Sequence, residues 1–254
     1  MPDLAFGIDI GGSAIKAGLV ERSSGALRTE FARLATPMPS TPAAIIDAVG
    51  TLLDLHEVSR ILPVGISIPA PVVHGVVPYM ANLNQAWVGT DVPTLVQERL
   101  GRSAVVVNDA DAAALGEVAF GAAKGVAGTV IITTLGTGIG SGVVVDGKLV
   151  PNVELGHLEI DGQDAESQAS ARQKDLEGLS WTRWASRLQR YYLYIERLFS
   201  PDLFVVGGAI SEDAAHFLPL LNLRTPIVPA VLRNRAGVVG AAQAAWTSNW
   251  SRPL

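Results

Sequence analysis

Two glycine-rich turns, each joining one apolar strand to another, constrain this chain more than any other feature. The first lies in FGIDIGGSAIKAGLV (6–20) and the second in TVIITTLGTGIGSGVVV (129–145). Each predicts a hairpin whose turn lacks Cβ atoms, so backbone N–H groups can face an anion at close range. Two such cradles in one chain fit a long phosphate chain gripped by two halves of the molecule. The GxxxxGK[ST] pattern of a P-loop cannot be laid over the first turn. A strand rather than a helix follows its glycines, which excludes the dinucleotide-binding fingerprint. Taken alone, either turn is equally a plain hairpin with glycine placed only for positive φ.

Strands are predicted at 4–10, 15–21, 26–35, 61–68, 104–107, 128–135, 139–146, 148–151 and 203–206. Helices are predicted at 42–57, 92–100, 108–120, 180–198, onward from Ser211, and at 236–247. Thr41 followed by Pro42 reads as an N-cap and a first helical position. Strand clusters alternating with helices imply an α/β architecture. β-rich openings near residues 4 and 128 mark two halves of one plan, with a boundary expected at 108–115 and a hinged cleft between the halves. The 254 residues suffice for two domains, and 48% apolar against 17% charged residues supports a large core rather than disorder.

Several function classes fall away. There is no cysteine, which excludes disulfides, thiolate metal sites and cysteine nucleophiles, and fits a reducing cytoplasm. A net charge of −5 disfavours a nucleic-acid partner. No apolar run approaches the ~18–20 residues of a membrane span, and the opening MPDLAF has no basic region of the secretory type. A cytoplasmic location with no nucleic acid and no membrane partner is expected.

Phosphoryl transfer needs hydrogen-bond donors around the departing phosphate and a cation to offset developing charge. In the first turn Gly11, Gly12, Ser13 and Lys16 provide them, and Asp9 at the strand's end can hold Mg²⁺ through water. Gly136, Thr137 and Gly138 of the second turn face the phosphate from the opposite side. In NDADAAALGE (108–117), Asn108 and Asp109 follow an apolar strand and open a helix, at the strand edge where open α/β sheets bind ligands. A carboxylate there can take the proton of an attacking sugar hydroxyl; the alternative is that Asp109 or Asp111 merely caps the helix. In ELGHLEIDGQDAE (154–166), Glu154 and His157 share one face of a helical turn, with Glu159 and Glu166 close by. Acceptors and donors side by side suit sugar hydroxyls, whereas zinc would want a second histidine that is not near. His56, His74 and His216 lie in no such cluster.

The second half carries a local basic excess. Arg172, Lys174, Arg183, Arg187, Arg190 and Arg197 stand against Asp175, Glu177 and Glu196. Such an excess can track a polyanion; it also describes a solvated helix face. Lys16, Arg172 and Lys174 are the residues picked out for polyanion contact.

The strings DIGGSAIK, GISIPAPV, NLNQAW, NDADAAALGE, TLGTGIGSG, ELGHLE and VVGGAIS run in this order along nearly the whole chain. Together they resemble the ROK family of sugar kinases. The resemblance implies an α/β, two-lobed actin/hexokinase-like (ribonuclease H-like) fold with an inter-lobe cleft. The lobes would be 1–110 and 111–235, with a C-terminal helix (236–254) packing back on the first. VPNVELGHLE (150–159), SWTRWA (180–185) and SPDLFVVGGAIS (200–211) are most similar to family members that use inorganic polyphosphate. The implied activity is transfer of the terminal phosphoryl group of polyphosphate, with ATP as a further donor, to the C6 hydroxyl of glucose.

Position by position, the resemblance makes Asp109 the base and Asn82, Asn108, Glu154, His157 and Glu166 the glucose ligands. Asp9, Gly11, Gly12, Ser13, Lys16, Gly136, Thr137 and Gly138 would surround phosphates and Mg²⁺. Gly207 and Gly208 would approach a nucleotide's adenosine. A homodimer through helix 180–198 is implied as well. Many members carry a cysteine-rich zinc motif after the histidine of the Glu-x-Gly-His string; with no cysteine here, no zinc is expected and the sugar loop must be held by packing. Pro69-Ala70-Pro71 also stands where Pro-Gly is usual. Three alternatives stay open: strict ATP dependence, acceptance of mannose, and a non-catalytic sugar sensor. A DNA-binding sensor needs an added helix-turn-helix, for which no room precedes the strand at residue 4. GISIP (65–69) does not match GxSxG, which disfavours a serine hydrolase.

Overall fold

In the computed structural model, which describes residues 3–28 and 30–247, the first glycine turn closes a hairpin. Strands β1 (Leu4–Ile10) and β2 (Ala14–Glu21) pair antiparallel, with Asp9 opposite Lys16. β3 (Ala32–Ala35) joins β2 and is shorter than the expected 26–35, because residues 21–28 curl into a turn that Arg28 closes on Glu21 at 2.6 Å. Helix α1 (Pro42–Leu55) starts where the Thr41 hydroxyl accepts the Ala44 N–H. β4 (Val64–Ile68) omits the first three residues of the expected 61–68. Ile61 is exposed, and the Arg102 guanidinium instead takes the carbonyls of Val58, Ser59 and Leu62. α2 (Val92–Leu100), β5 (Val105–Asn108) and α3 (Asp109–Phe120) follow. The sheet order is β3-β2-β1-β4-β5, with β1, β4 and β5 parallel. Their carboxyl ends, at Ile10, Ile68 and Asn108, therefore share one edge.

The chain divides into two units, Met1–Gly116 with Arg235–Leu254, and Glu117–Asn234. The second begins within α3. Its sheet contains the meander β6 (Thr129–Leu135), β7 (Ile139–Val145) and β8 (Lys148–Val150), the first two joined by the second glycine turn. A small separate hairpin of β9 (Glu159–Ile160) and β10 (Gln163–Asp164) turns at Asp161-Gly162, both in positive φ (54° and 75°). That is the geometry of a type I′ turn, whose twist matches the strands it joins. Helices α4 (Glu166–Ala169) and α5 (Ala171–Leu176) come next, neither foreseen from sequence.

The long amphipathic α6 (Trp181–Phe199) is capped by Ser180 and ended by Ser200 in the left-handed region. It buries Trp184, Tyr191 and Tyr192 against Phe204 and Phe217. β11 (Leu203–Gly207) lies parallel between β6 and β12 (Ile227–Pro229). The helix expected from Ser211 is a 3₁₀ turn, Ala209–Asp213, leading into the short α7 (Ala214–Phe217) and then a second 3₁₀ turn that contains Pro219.

The chain returns to the first unit as α8 (Ala236–Trp246). Of the helix expected at 236–254, residues 248–254 lie outside the described residues. α8 is built almost wholly of Ala, Gly and Val and is buried on nearly every side. It lies on β1 and β4 at backbone contact: a Cβ at Gly7 would run into the Val238 carbonyl, and one at Gly65 into that of Ala241. Gly240 stands likewise against the Ala112 carbonyl of α3. Among the described residues no helix is long and apolar enough to cross a membrane.

Gly65→Ala should destabilise the protein by about 2–3 kcal/mol, since the added methyl meets backbone that cannot swing aside. A thermal melt should show the midpoint fall by roughly 4–12 °C.

Candidate active site

The parallel edge of the first sheet gathers most of the residues singled out in that half. Asp9 is the last but one residue of β1; its Oδ1 accepts the hydroxyl of buried Ser67 at 2.9 Å and its Oδ2 lies 3.6 Å from Lys16 Nζ. Sequence reading passed over Ser67, which is the serine of GISIP. Its Oγ orients Asp9 and is not poised as a nucleophile. Gly237, in the first turn of α8, sits so close to Asp9 that a Cβ there would strike the carboxylate.

Beyond β1, the loop closes with Gly11 N–H on the Ala14 carbonyl (3.0 Å). Thr36 pins it through its hydroxyl to Gly11 C=O (2.6 Å) and its N–H to Ser13 C=O (3.1 Å). Asn82 is exposed and its carbonyl faces Gly12. Asn108 is buried and caps α3, its Oδ1 accepting the N–H groups of Ala110 (2.8 Å) and Asp111 (3.0 Å). The capping duty weighed for Asp109 thus falls to its neighbour, although Asp109 Oδ1 also accepts the adjacent Ala110 N–H (2.8 Å). Ala70 is a core residue of this unit, which accounts for the methyl where glycine is usual.

In the second unit Gly136, Thr137 and Gly138 follow β6, and Gly207 pairs beside Thr134. Gly208 has φ +82° and approaches Leu135 too closely for any Cβ. Neither Gly12 nor Gly136 lies in positive φ, so conformation does not demand glycine at either. A Cβ on Gly136 would meet nothing within 4 Å, and one on Gly12 only the Asn82 carbonyl at 3.6 Å. Their bare faces look onto open space, which is the arrangement that lets a ligand touch main chain. One expected donor is already engaged: Gly136 N–H is bonded to Gly138 C=O (3.0 Å).

Arg172 is exposed, and its N–H holds the Gly136 carbonyl (3.0 Å). It helps line an open pocket of about 500 Å³ whose other walls include Leu135, Thr137, Ala209 and Ile210. Lys174 turns elsewhere, with Nζ 4.2 Å above the Trp181 ring and 3.3 Å from Asp175. Arg187 is bidentate to Glu177, whose carboxyl is pulled down to about 2 by that guanidinium and by Gln173. Arg190 pairs with Asp161. For those two arginines the solvated-helix reading holds.

Glu154 precedes and His157 ends a 3₁₀ turn (Leu155–His157) rather than an α-helical one. Ser141 anchors it to β7, donating to Val153 C=O (2.6 Å) and accepting Leu155 N–H (2.8 Å). Glu166 Oε2 accepts Ile139 N–H at 3.0 Å, and any side chain at Gly138 would collide with it. The loop is therefore held by hydrogen bonds, and not by packing alone as expected from the missing cysteines. His157 Nδ1 lies 2.9 Å from Asp164 Oδ2, a partner the sequence reading missed. His157, Asp164 and Glu166 bring one donor atom each within 4.8 Å of one another, close enough for a metal ion to bridge. The His157 imidazole is held above its ordinary value, first by the hydrogen bond to Asp164; partial burial opposes this, and the charges of Glu166, Asp164 and Glu154 add to it.

A model of the ROK family matches residues 5–179. The chain is 43% identical over 240 residues to a polyphosphate glucokinase of Mycobacterium tuberculosis, covering 94% of this chain and 90% of that protein. Among solved structures it is similar to the inorganic polyphosphate/ATP-glucomannokinase of Arthrobacter sp. strain KM. The identity is 50%, the TM-score 0.92, and coverage is 98% of this chain and 100% of that one. It is also similar to a ROK family glucokinase of Streptomyces griseus in complex with glucose and AMPPNP, at 26% identity and TM-score 0.83, with coverage of 96% and 100%. The two-sheet α/β fold is the actin/hexokinase-like one of these sugar kinases.

Because the folded state raises the His157 value, the imidazolium's contribution to stability is complete below about pH 6.5 and is lost as pH rises through the raised value. Unfolding free energies of wild type and His157→Gln, measured from pH 5.5 to 8.5, should show the wild-type advantage shrinking with increasing pH.

Proposed function

The chain belongs to the ROK family, and on that premise we propose that it transfers the terminal phosphoryl group of inorganic polyphosphate to the C6 hydroxyl of glucose, with ATP as a second donor. The observation that carries this reading is the shared edge of β1, β4 and β5. It sets Asp9, the first glycine loop and Asp109 at the ends of adjacent strands.

Asp109 accepts the proton of the sugar's O6 as O6 forms its bond to phosphorus. The bridging P–O bond of the donor breaks, leaving a polyphosphate one unit shorter, or ADP. Asn82, Asn108, Glu154, His157 and Glu166 hold the sugar. Gly11, Gly12, Ser13, Lys16, Gly136, Thr137 and Gly138 surround the phosphates, and Arg172 extends the cationic path, with Lys174, whose Nζ lies over the Trp181 ring, further along it. The pocket beside Gly136, walled by Leu135, Ile210 and Ala209, the residue that follows Gly207 and Gly208, has room for an adenosine and supports ATP as the second donor.

Asp9 suits Mg²⁺, being a hard oxygen donor beside the phosphate loop that leaves substrate oxygens and water to complete the shell. When bound, the ion neutralises charge on the transferring group. Exposed Leu193, Leu198 and Phe199 on α6 support a homodimer through that helix.

Purified protein with Mg²⁺ should release glucose 6-phosphate from glucose with either polyphosphate or ATP; no product with either donor overturns the proposal. Asp109→Asn should lower kcat by about 10²–10⁴-fold while glucose affinity stays within a few-fold. Steady-state kinetics and calorimetry measure the two separately.

A further inference from the structure

We infer that Asp164 is a positioning residue whose single carboxylate sets His157 and Glu166 together for the sugar. The inference rests on the proposed function, because it takes those two side chains as sugar ligands. Asp164 Oδ2 lies 2.9 Å from His157 Nδ1. Its Oδ1 accepts the N–H groups of Glu166 (3.1 Å) and Ser167 (3.4 Å), and Ser167 Oγ donates to the Asp164 carbonyl (2.6 Å). One side chain thereby grips two separate elements, the 3₁₀ turn that ends in His157 and the start of α4 that carries Glu166. The line continues, since the Glu166 carboxylate reaches Ile139 N–H at 3.0 Å, just past the second glycine turn. His157 is thus tied to the phosphate loop through two carboxylates in series.

Packing alone cannot orient this histidine, because the His157 and Asp164 side chains are each 42% exposed. A hydrogen bond can. An imidazole that donates Nδ1–H to a carboxylate has its tautomer and ring plane fixed, which in the neutral ring leaves Nε2 as an acceptor for a hydroxyl. Remove the carboxylate and both tautomers are populated while the ring is free to turn. Truncating the side chain altogether also takes from the Glu166 and Ser167 N–H groups, at the start of the four-residue α4, the acceptor they share. Both changes weaken sugar binding, and neither touches Asp109.

Two variants separate the two grips. Asp164→Asn keeps a carbonyl oxygen for the Glu166 and Ser167 N–H groups but loses the charged acceptor facing His157; Asp164→Ala loses both. The expected result is a glucose KM raised roughly 10-fold in the first and more in the second, with kcat changed much less. Nitrogen-15 spectra of the imidazole should show the Nδ1–H tautomer in wild type and a mixture in Asp164→Asn. Unchanged KM in both variants, or a wild-type ring already in mixed tautomers, overturns the inference. So does a wild-type KM that rises with EDTA and is restored by zinc, which would make the cluster a metal site. If wild type binds no glucose at all, the proposed function fails and takes this role with it; wild-type binding with indifferent variants removes the role alone.

Discussion

A helix laid on a sheet at main-chain distance has no room for one methyl group, and the first unit depends on such a contact. Gly7 and Gly65 let α8 settle on β1 and β4, and Gly240 lets α3 close against α8. Dispersion and apolar burial reward that approach only where no Cβ intervenes. The consequence reaches the chemistry through Gly237, which brings the first turn of α8 against the Asp9 carboxylate. Ser67 fixes the same group from the neighbouring strand. A residue at a strand end, ordinarily free to swing, is confined by backbone on one side and a hydroxyl on the other.

The second unit reaches comparable order by polar pegs. Ser141 receives one N–H of the 3₁₀ turn and donates to the Val153 carbonyl just ahead of it, while Glu166 holds the strand leaving the glycine turn. Arg172 holds the turn's own carbonyl by main chain. Gly156, pressed against the Ile139 carbonyl, completes the contact between turn and strand. Each peg satisfies a backbone group that the irregular loop would otherwise leave unmade, at a cost of about 1–3 kcal/mol per buried group.

Periodicity and turn chemistry made the hairpins, α1, α6 and the Asn108–Asp109 strand edge legible, because each is a local pattern that tertiary contacts reinforce. What stayed hidden is non-local. Gly7 and Gly65 read as fillers within apolar strands; their purpose lies in a helix over 170 residues away. Asp164 sits in a string of acids, and nothing in its spacing from His157 announces a hydrogen bond. The Asp161-Gly162 pair is a hairpin signal that could have found β9 and β10, but strands of two residues show no alternation to confirm it. Nor does a count of charge announce the aromatic face beneath Lys174, whose Nζ lies 4.2 Å above the Trp181 ring.

The bare faces of Gly12 and Gly136 carry a consequence for selectivity. Contacts made by main chain register spacing and negative charge, attributes common to every chain of linked phosphates whatever is attached to its far end. A grip of that kind is blind to the remainder of its donor. Under the proposed function, discrimination falls to side chains beside the second turn such as Ile210 and Arg172, which can be exchanged without altering the main chain.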